Sequence, residues 1–171
     1  MTEKFIHVAV IGSAFGLQGE IKARYSGEIL RTYKVPGTVY LGQKEGVNLR
    51  KFRLLSKRNK AGFSIVRFEG IETREAAESL KGMKVFLPEA DVPVLKKGEY
   101  YSFQIIGLKV SYDNKEIPGY TISDIMDNPA HPILLIQNGE TEILVPFVEK
   151  FVGELSIEKG IIEIKNWPDW L

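Results

Sequence analysis

The chain contains no cysteine, which removes a disulfide framework, a thiolate metal site and a cysteine nucleophile in one step, and which suits a reducing compartment. Histidine is scarce as well. His7 and His131 are the only two, too little material for a histidine-based triad or a multi-histidine metal site. No stretch approaches the roughly 20 apolar residues of a membrane span. The start, Met1 to Lys4 and then Phe5-Ile6-His7-Val8, lacks the basic flank and sustained apolar run of a signal peptide. A cytoplasmic protein with no membrane partner is expected. What is present is ordinary: 44% hydrophobic and 26% charged residues supply a core and argue against wholesale disorder. A length of 171 residues fits one large domain or two small ones.

The net charge of +1 conceals an asymmetry. Residues 1–93 carry 16 Lys/Arg against 10 Asp/Glu, giving +6, and residues 94–171 carry 7 against 12, giving −5. Such a split points to a nucleic-acid partner on the basic side, or else to two solvated faces with a chance imbalance.

The first half reads as short strands. Residues 4–11 are apolar, and residues 20–25 alternate, with Ile21, Ala23 and Tyr25 inward and Glu20, Lys22 and Arg24 outward. Residues 47–55 and 63–68 are strand-like, and residues 39–41 and 85–87 add two more. One helix is predicted over 73–81, with Thr73 as cap, Glu75 in the first turn and Gly82 at the C-terminal end. Many short strands with little helix favour a closed barrel, which leaves no exposed edge. Residues 87–98, with Pro88, Pro93 and Lys96-Lys97-Gly98, read as a connection, and the domain boundary is placed there: 1–93 basic, 94–171 acidic. Beyond it strands are predicted at 105–112, 120–126, 133–137, 142–145 and 161–164. Asp113-Asn114 and Asn138-Gly139 supply hairpin turns, the second a type I′ signature.

Gly12, Gly16 and Gly19 are spaced as neither a dinucleotide fingerprint nor a P-loop, and all three read as residues of a tight positive-φ connection between a strand ending near Ile11 and one beginning at Glu20. No cofactor is expected. Glu72, Glu75 and Glu78 at helical spacing, and Asp124 and Asp127 around Met126, read as solvated faces rather than a paired-carboxylate site. Arg50, Lys51, Arg53, Lys57, Arg58 and Lys60 are six cations in eleven residues with no acid among them. Residues 57–62 are expected to form a basic hairpin loop that reaches RNA phosphates, the alternative being an edge kept soluble by lysine. Tyr100, Tyr101 and Phe103 open the second domain, either packing the domain junction or presenting flat apolar area to a protein. Residues 167–171, Trp167-Pro168-Asp169-Trp170-Leu171, pose the same choice and could fold back over the second barrel.

Four motifs in order give these residues a context. They are Ala14-Phe15-Gly16-Leu17-Gln18-Gly19-Glu20; Arg74-Glu75-Ala76-Ala77-Glu78 with Leu80-Lys81-Gly82; Glu99-Tyr100-Tyr101 followed by Ile106-Gly107-Leu108-Lys109-Val110; and Val145-Pro146-Phe147-Val148. Together the chain resembles the RimM family of ribosome maturation factors nearly end to end. It departs from the family pattern at Ser102, where tryptophan is common, at Gln104, where aspartate is common, and at Trp170, where glycine is usual. The resemblance implies a mostly β fold of two small barrels in tandem. The first would be six-stranded and like those of translation factors, with one short helix, and the second a PRC-type barrel. It also implies a monomeric, non-enzymatic assembly factor for the free 30S subunit that assists 16S rRNA processing and head maturation. Tyr100 and Tyr101 would then help to bind the small-subunit head protein numbered nineteen, whose basic character suits an acidic domain. Two rival classes stay open: an rRNA-modifying or rRNA-cleaving enzyme, for which no catalytic constellation is visible, and a protein-binding adaptor without RNA contact.

Overall fold

The computed structural model describes residues 3–167; residues 168–171, Trp170 among them, lie outside the described residues. The chain divides into two compact units, Met1–Val94 and Leu95–Leu171.

In the first unit the order is β1 (Phe5–Phe15), β2 (Glu20–Tyr25), α1 (Ile29–Thr32), β3 (Gly37–Gly42), β4 (Arg50–Asn59), β5 (Phe63–Phe68), α2 (Arg74–Glu78) and β6 (Lys84–Pro88). The six strands close into a barrel in the order β1-β2-β5-β4-β3-β6. β1 makes closure possible because it is long enough to pair with β2 on one side and β6 on the other. Register shifts on both sides bend it through the corner. The alternating residues Ile21 and Ala23 of β2, Val39 and Leu41 of β3, and Leu54, Phe68, Val85 and Leu87 are all nearly inaccessible. Each large apolar side chain so buried contributes about 1.5–3 kcal/mol.

One irregularity decides where the basic residues go. Leu54 pairs with Phe68 but Ser56 pairs with Arg67, so Leu55 is an extra residue bulged out of β4. Strand side chains alternate, and one inserted residue therefore exchanges the faces beyond it. Phe52 and Leu54 face inward before the bulge, and Lys57 and Asn59 face inward after it, paired with Val66 and Ser64.

The second unit runs α3 (Ser102–Ile105), β7 (Lys109–Tyr112), β8 (Lys115–Met126), β9 (Ile133–Asn138), β10 (Thr141–Pro146), β11 (Val152–Ser156) and β12 (Ile161–Ile164). Its six-stranded sheet has the order β10-β9-β8-β7-β12-β11, antiparallel except for the β7–β12 pair. Val110, Ile122, Leu134, Ile136, Ile143 and Val145 lie in one core with Val152, Ile162 and Ile164, so every strand of the sheet wraps the same apolar centre.

Several local expectations change. The predicted helix 73–81 shortens to Arg74–Glu78. Its continuation tightens into i to i+3 bonds, Leu80 N–H to Ala77 O and Lys81 N–H to Glu78 O at 3.1 Å each, so that Gly82 N–H can reach Ile11 O at 2.8 Å. The strand predicted at 105–112 begins only at Lys109, because Ser102–Ile105 is helical and Gly107 turns the chain at φ 92. The strand predicted at 47–55 is shifted to Arg50–Asn59. A second helix, the single turn α1, and strand β11 were not expected. The first has no repeat to reveal it, and the second holds Gly153 and a register shift between Val152 and Leu155. The type I′ pattern, two consecutive positive φ values, occurs at Asp113-Asn114 (48 and 60). Asn138 is paired within β9, and only Gly139 of that turn has positive φ.

Candidate functional site

The six cations that sequence places together are dispersed by the barrel. Lys57 lies in β4, not in a hairpin loop, and the loop itself is reduced to residues 60–62. The inward turn imposed by the bulge directs Lys57 Nζ to three carbonyl oxygens at the end of α1: Leu30 at 2.8 Å, Arg31 at 2.7 Å and Tyr33 at 2.6 Å. A four-residue helix has more unsatisfied end carbonyls than internal bonds, and an ammonium with three donors matches that need. Burial lowers the Lys57 pKa from its usual value. Lys57 is thus committed within the barrel.

Arg58 takes the opposite face and donates from Nη2 to both Glu20 carboxylate oxygens at 3.0 Å. Arg50 stacks over Phe52 at 5.5 Å and donates to Met83 Sδ at 3.4 Å. Lys51 and Arg53 are exposed, on the outer face of β4 opposite Tyr40 and Thr38 of β3. Lys60 is exposed and, with Arg31, Tyr25 and Asn59, lines an open cleft of 620 Å³. The structure therefore separates one structural lysine from five cations at the surface, and distributes those five over different places.

The connection expected from Ile11 onward is shorter: Gly12 lies within β1 and has no positive φ, because β1 continues to Phe15, and Gly16 and Gly19 alone of the three turn β1 into β2 with φ of 75 and 78. Gly19 has a second constraint: a Cβ there would overlap the Ile71 carbonyl. Glu78, read from sequence as solvated, is half-buried, and its Oε1 accepts the Ala14 N–H at 2.9 Å. That N–H belongs to the bulged stretch of β1, where ladder pairing is interrupted. His7 sits on the outer side of β1 against Phe86, 5.6 Å between rings, and its Nε2–H donates to Ala9 O at 3.0 Å. Burial pushes its pKa below 6.5, Lys84 adds to this, and the bond to Ala9 opposes it.

In the second unit the aromatics divide as well. Tyr100 packs against the apolar core. Tyr101 and Phe103 stack on each other, 5.6 Å apart and 13° from parallel. Tyr101 begins α3: its N–H donates to Gln104 Oε1 and its carbonyl accepts the Gln104 N–H, both at 2.9 Å. Gln104 supplies the reach-back acceptor of a capping box from the position where the family pattern commonly has aspartate. Trp167 packs edge-on against Tyr120 at 5.0 Å. Of the two histidines, His131 has a buried Nδ1 with no hydrogen-bond partner among the described residues. No three His, Asp or Glu side chains gather into a metal-sized group among the described residues, and no helix there is long and apolar enough to cross a membrane.

Two family models match the chain: a RimM N-terminal domain over residues 6–92 and a RimM PRC barrel domain over residues 102–170. A ribosome maturation factor RimM from Leptospira borgpetersenii serovar Hardjo-bovis (strain JB197) is 38% identical over 99% of this chain and 98% of its own length. Its counterpart from Leptospira interrogans serogroup Icterohaemorrhagiae serovar copenhageni (strain Fiocruz L1-130) is 36% identical over the same shares. Among solved structures, a 16S ribosomal RNA processing protein RimM from Pseudomonas aeruginosa aligns over 98% of this chain and 99% of that one, with 19% identity and a TM-score of 0.45.

Proposed function

This chain belongs to the RimM family of ribosome maturation factors, and from that premise we propose that it is a monomeric, cytoplasmic, non-enzymatic assembly factor for the small ribosomal subunit. It binds the free 30S particle and assists 16S rRNA processing and maturation of the head. The observation that carries this reading is the division of charge between two compact units, +6 and −5. A basic barrel attracts rRNA phosphates, and an acidic unit attracts a basic ribosomal protein. In this reading Tyr100, Tyr101 and Phe103 hold the small-subunit head protein numbered nineteen, and Arg50, Lys51, Arg53, Arg58 and Lys60 approach 16S rRNA or its precursor. Tighter binding to a correctly folded head intermediate than to a misfolded one shifts the population toward the former without any chemistry.

The internal use of Lys57 favours a second reading, a protein-binding adaptor without RNA contact, because it removes one cation from the RNA-facing set. Binding to immature 30S at several salt concentrations separates the two. Replacing Lys51, Arg53 and Lys60 together by alanine should lower the slope of log affinity against log salt by about 2. An unchanged slope and strength leaves the adaptor. Loss of binding on Tyr101→Ala with Phe103→Ala, in a chain that remains folded, supports the aromatic contact; undiminished binding removes it.

A further inference from the structure

The outer face of β2, β5 and β4 carries a surface assembled from residues far apart in sequence. Ile21, Ala23, Ser64 and Val66 are at most 1% exposed and face inward, so their neighbours face out. On β2 these are Glu20, Lys22 and Arg24; on β5 they are Phe63, Ile65 and Arg67; Arg58 joins from β4. Four cations thus meet one carboxylate, and that carboxylate is bonded to Arg58.

The arrangement is more than a solvated charge cluster. Ile65 points outward and is still only 4% exposed; it lies in one row between Lys22 and Arg58, residues whose long apolar stems suit them to cover such a side chain. The two cationic heads converge on Phe15: Lys22 Nζ is 5.9 Å from the ring centroid and Arg58 Cζ 6.0 Å, and Lys22 is also 5.7 Å from Phe63. Phe15 nevertheless stays 40% exposed, and Leu17 beside it in the turn is 73% exposed. A phenyl ring held by two cations, with area still open to solvent, offers a stacking platform already surrounded by phosphate-binding charge.

We propose that this face binds unpaired RNA, a base stacking on Phe15 while Lys22, Arg24, Arg58 and Arg67 neutralise the neighbouring phosphates. The inference rests on the reading that the N-terminal barrel contacts RNA, and it adds the strand state and a set of residues that shares only Arg58 with that reading. Unpaired strand is favoured because bases in an A-form duplex are stacked inward and leave nothing for an exposed ring to meet. The cation excess favours RNA over an acidic protein, since proteins commonly anchor through a buried aromatic rather than one ringed by charge.

Fluorescence anisotropy on the full chain tests this with three probes: a labelled 12-nucleotide oligouridylate, a 12-base-pair RNA duplex and a polyglutamate peptide. The single strand should bind at least tenfold tighter than the duplex. Phe15→Ala should weaken it about tenfold with the salt slope unchanged. Lys22→Gln and Arg67→Gln should each lower the slope by about 0.7. Phe15→Leu, which keeps apolar bulk for folding, should show the same loss as Phe15→Ala, and Phe15→Trp should retain binding. RNA binding that ignores Phe15 or favours the duplex overturns the stacking surface and leaves the barrel as an RNA contact. No RNA binding by the unaltered chain removes both. Tighter binding of polyglutamate than of RNA assigns the face to an acidic protein and overturns the proposal.

Discussion

Lys57→Met tests whether this lysine is structural. The substitution keeps the length and apolar stem of the side chain and removes the ammonium, leaving the Leu30 and Tyr33 carbonyls without their donor; Arg31 O keeps Asn59 Nδ2 at 3.1 Å. A hydrogen bond to a charged group is worth about 1.5–3 kcal/mol net. All three lost bonds share one ammonium whose burial is itself unfavourable, and only two carbonyls are left without a donor, so the expected loss is about 2 kcal/mol rather than the sum of separate bonds. Both tryptophans, Trp167 and Trp170, lie in the second half of the chain, and tryptophan fluorescence would not report this barrel. Hydrogen exchange read by mass spectrometry on peptides covering residues 29–34 and 50–68 does. A loss of about 2 kcal/mol corresponds to roughly 30-fold faster exchange through the opening of that region. The same variant should leave the salt slope of RNA binding unchanged, because the Lys57 ammonium is held by three carbonyls of the barrel unit. Exchange accelerated less than about threefold, or a slope lowered by a full charge, would refute the structural role.

Three further outcomes follow from the same geometry. His7 has a folded-state pKa held below 6.5, so below that pH the unfolded chain takes up a proton more readily than the folded one, and stability falls with pH until the folded-state pKa is passed; urea midpoints from pH 7.5 to 5 should show this fall, and His7→Gln should flatten it. Gly19→Ala meets both a positive φ and the Ile71 carbonyl, and it should cost several times the ~1 kcal/mol expected of an ordinary left-handed glycine, read as loss of soluble folded protein, whereas Gly16→Ala, with open space around it, should stay folded. Tyr100→Ala should destabilise the second unit by about 2 kcal/mol through lost core packing, visible as an earlier Trp167 fluorescence transition, and Tyr101→Ala should shift it less; equal shifts would contradict the division between a packing tyrosine and a stacked one.

The fold was largely legible because barrel strands announce themselves locally. Residues 20–25 alternate cleanly, and the structure places Ile21 and Ala23 inward as that alternation requires. Thr73 was recognisable as a cap, and its Oγ1 accepts the Ala76 N–H at 3.2 Å. Elements without periodicity escaped: α1 is one turn held by a lysine 24 or more residues away, and β11 is interrupted by Gly153. Glu78 was misread for a related reason. Its partner is a backbone N–H 64 residues distant, and nothing in the helical spacing of Glu72, Glu75 and Glu78 distinguishes it from its solvated neighbours.

The candidate RNA surface failed to appear in the sequence for a more specific cause, the bulge at Leu55. Strict alternation from Arg53 onward would put Lys57 on the outer face and Arg58 inside the barrel, the opposite of what is found. One extra residue exchanges them. Lys57 then becomes the cap of α1, and Arg58 becomes the member of its cationic run that joins Lys22 beside Phe15, on the face that also carries Arg24 and Arg67. A run of charge along one strand is therefore a poor guide to a binding face, since alternate residues must diverge and a bulge reverses which ones do. The better guide is the set of cross-strand rows, in which Lys22, Ile65 and Arg58 stand side by side although 43 and 7 residues of chain separate them in turn. Deleting Leu55 should return Lys57 to the surface, strip α1 of its donor and turn Arg58 away from Phe15. Such a variant should lose both the protection of residues 29–34 and the preference for single-stranded RNA. Losing one without the other would show that the bulge does not couple them.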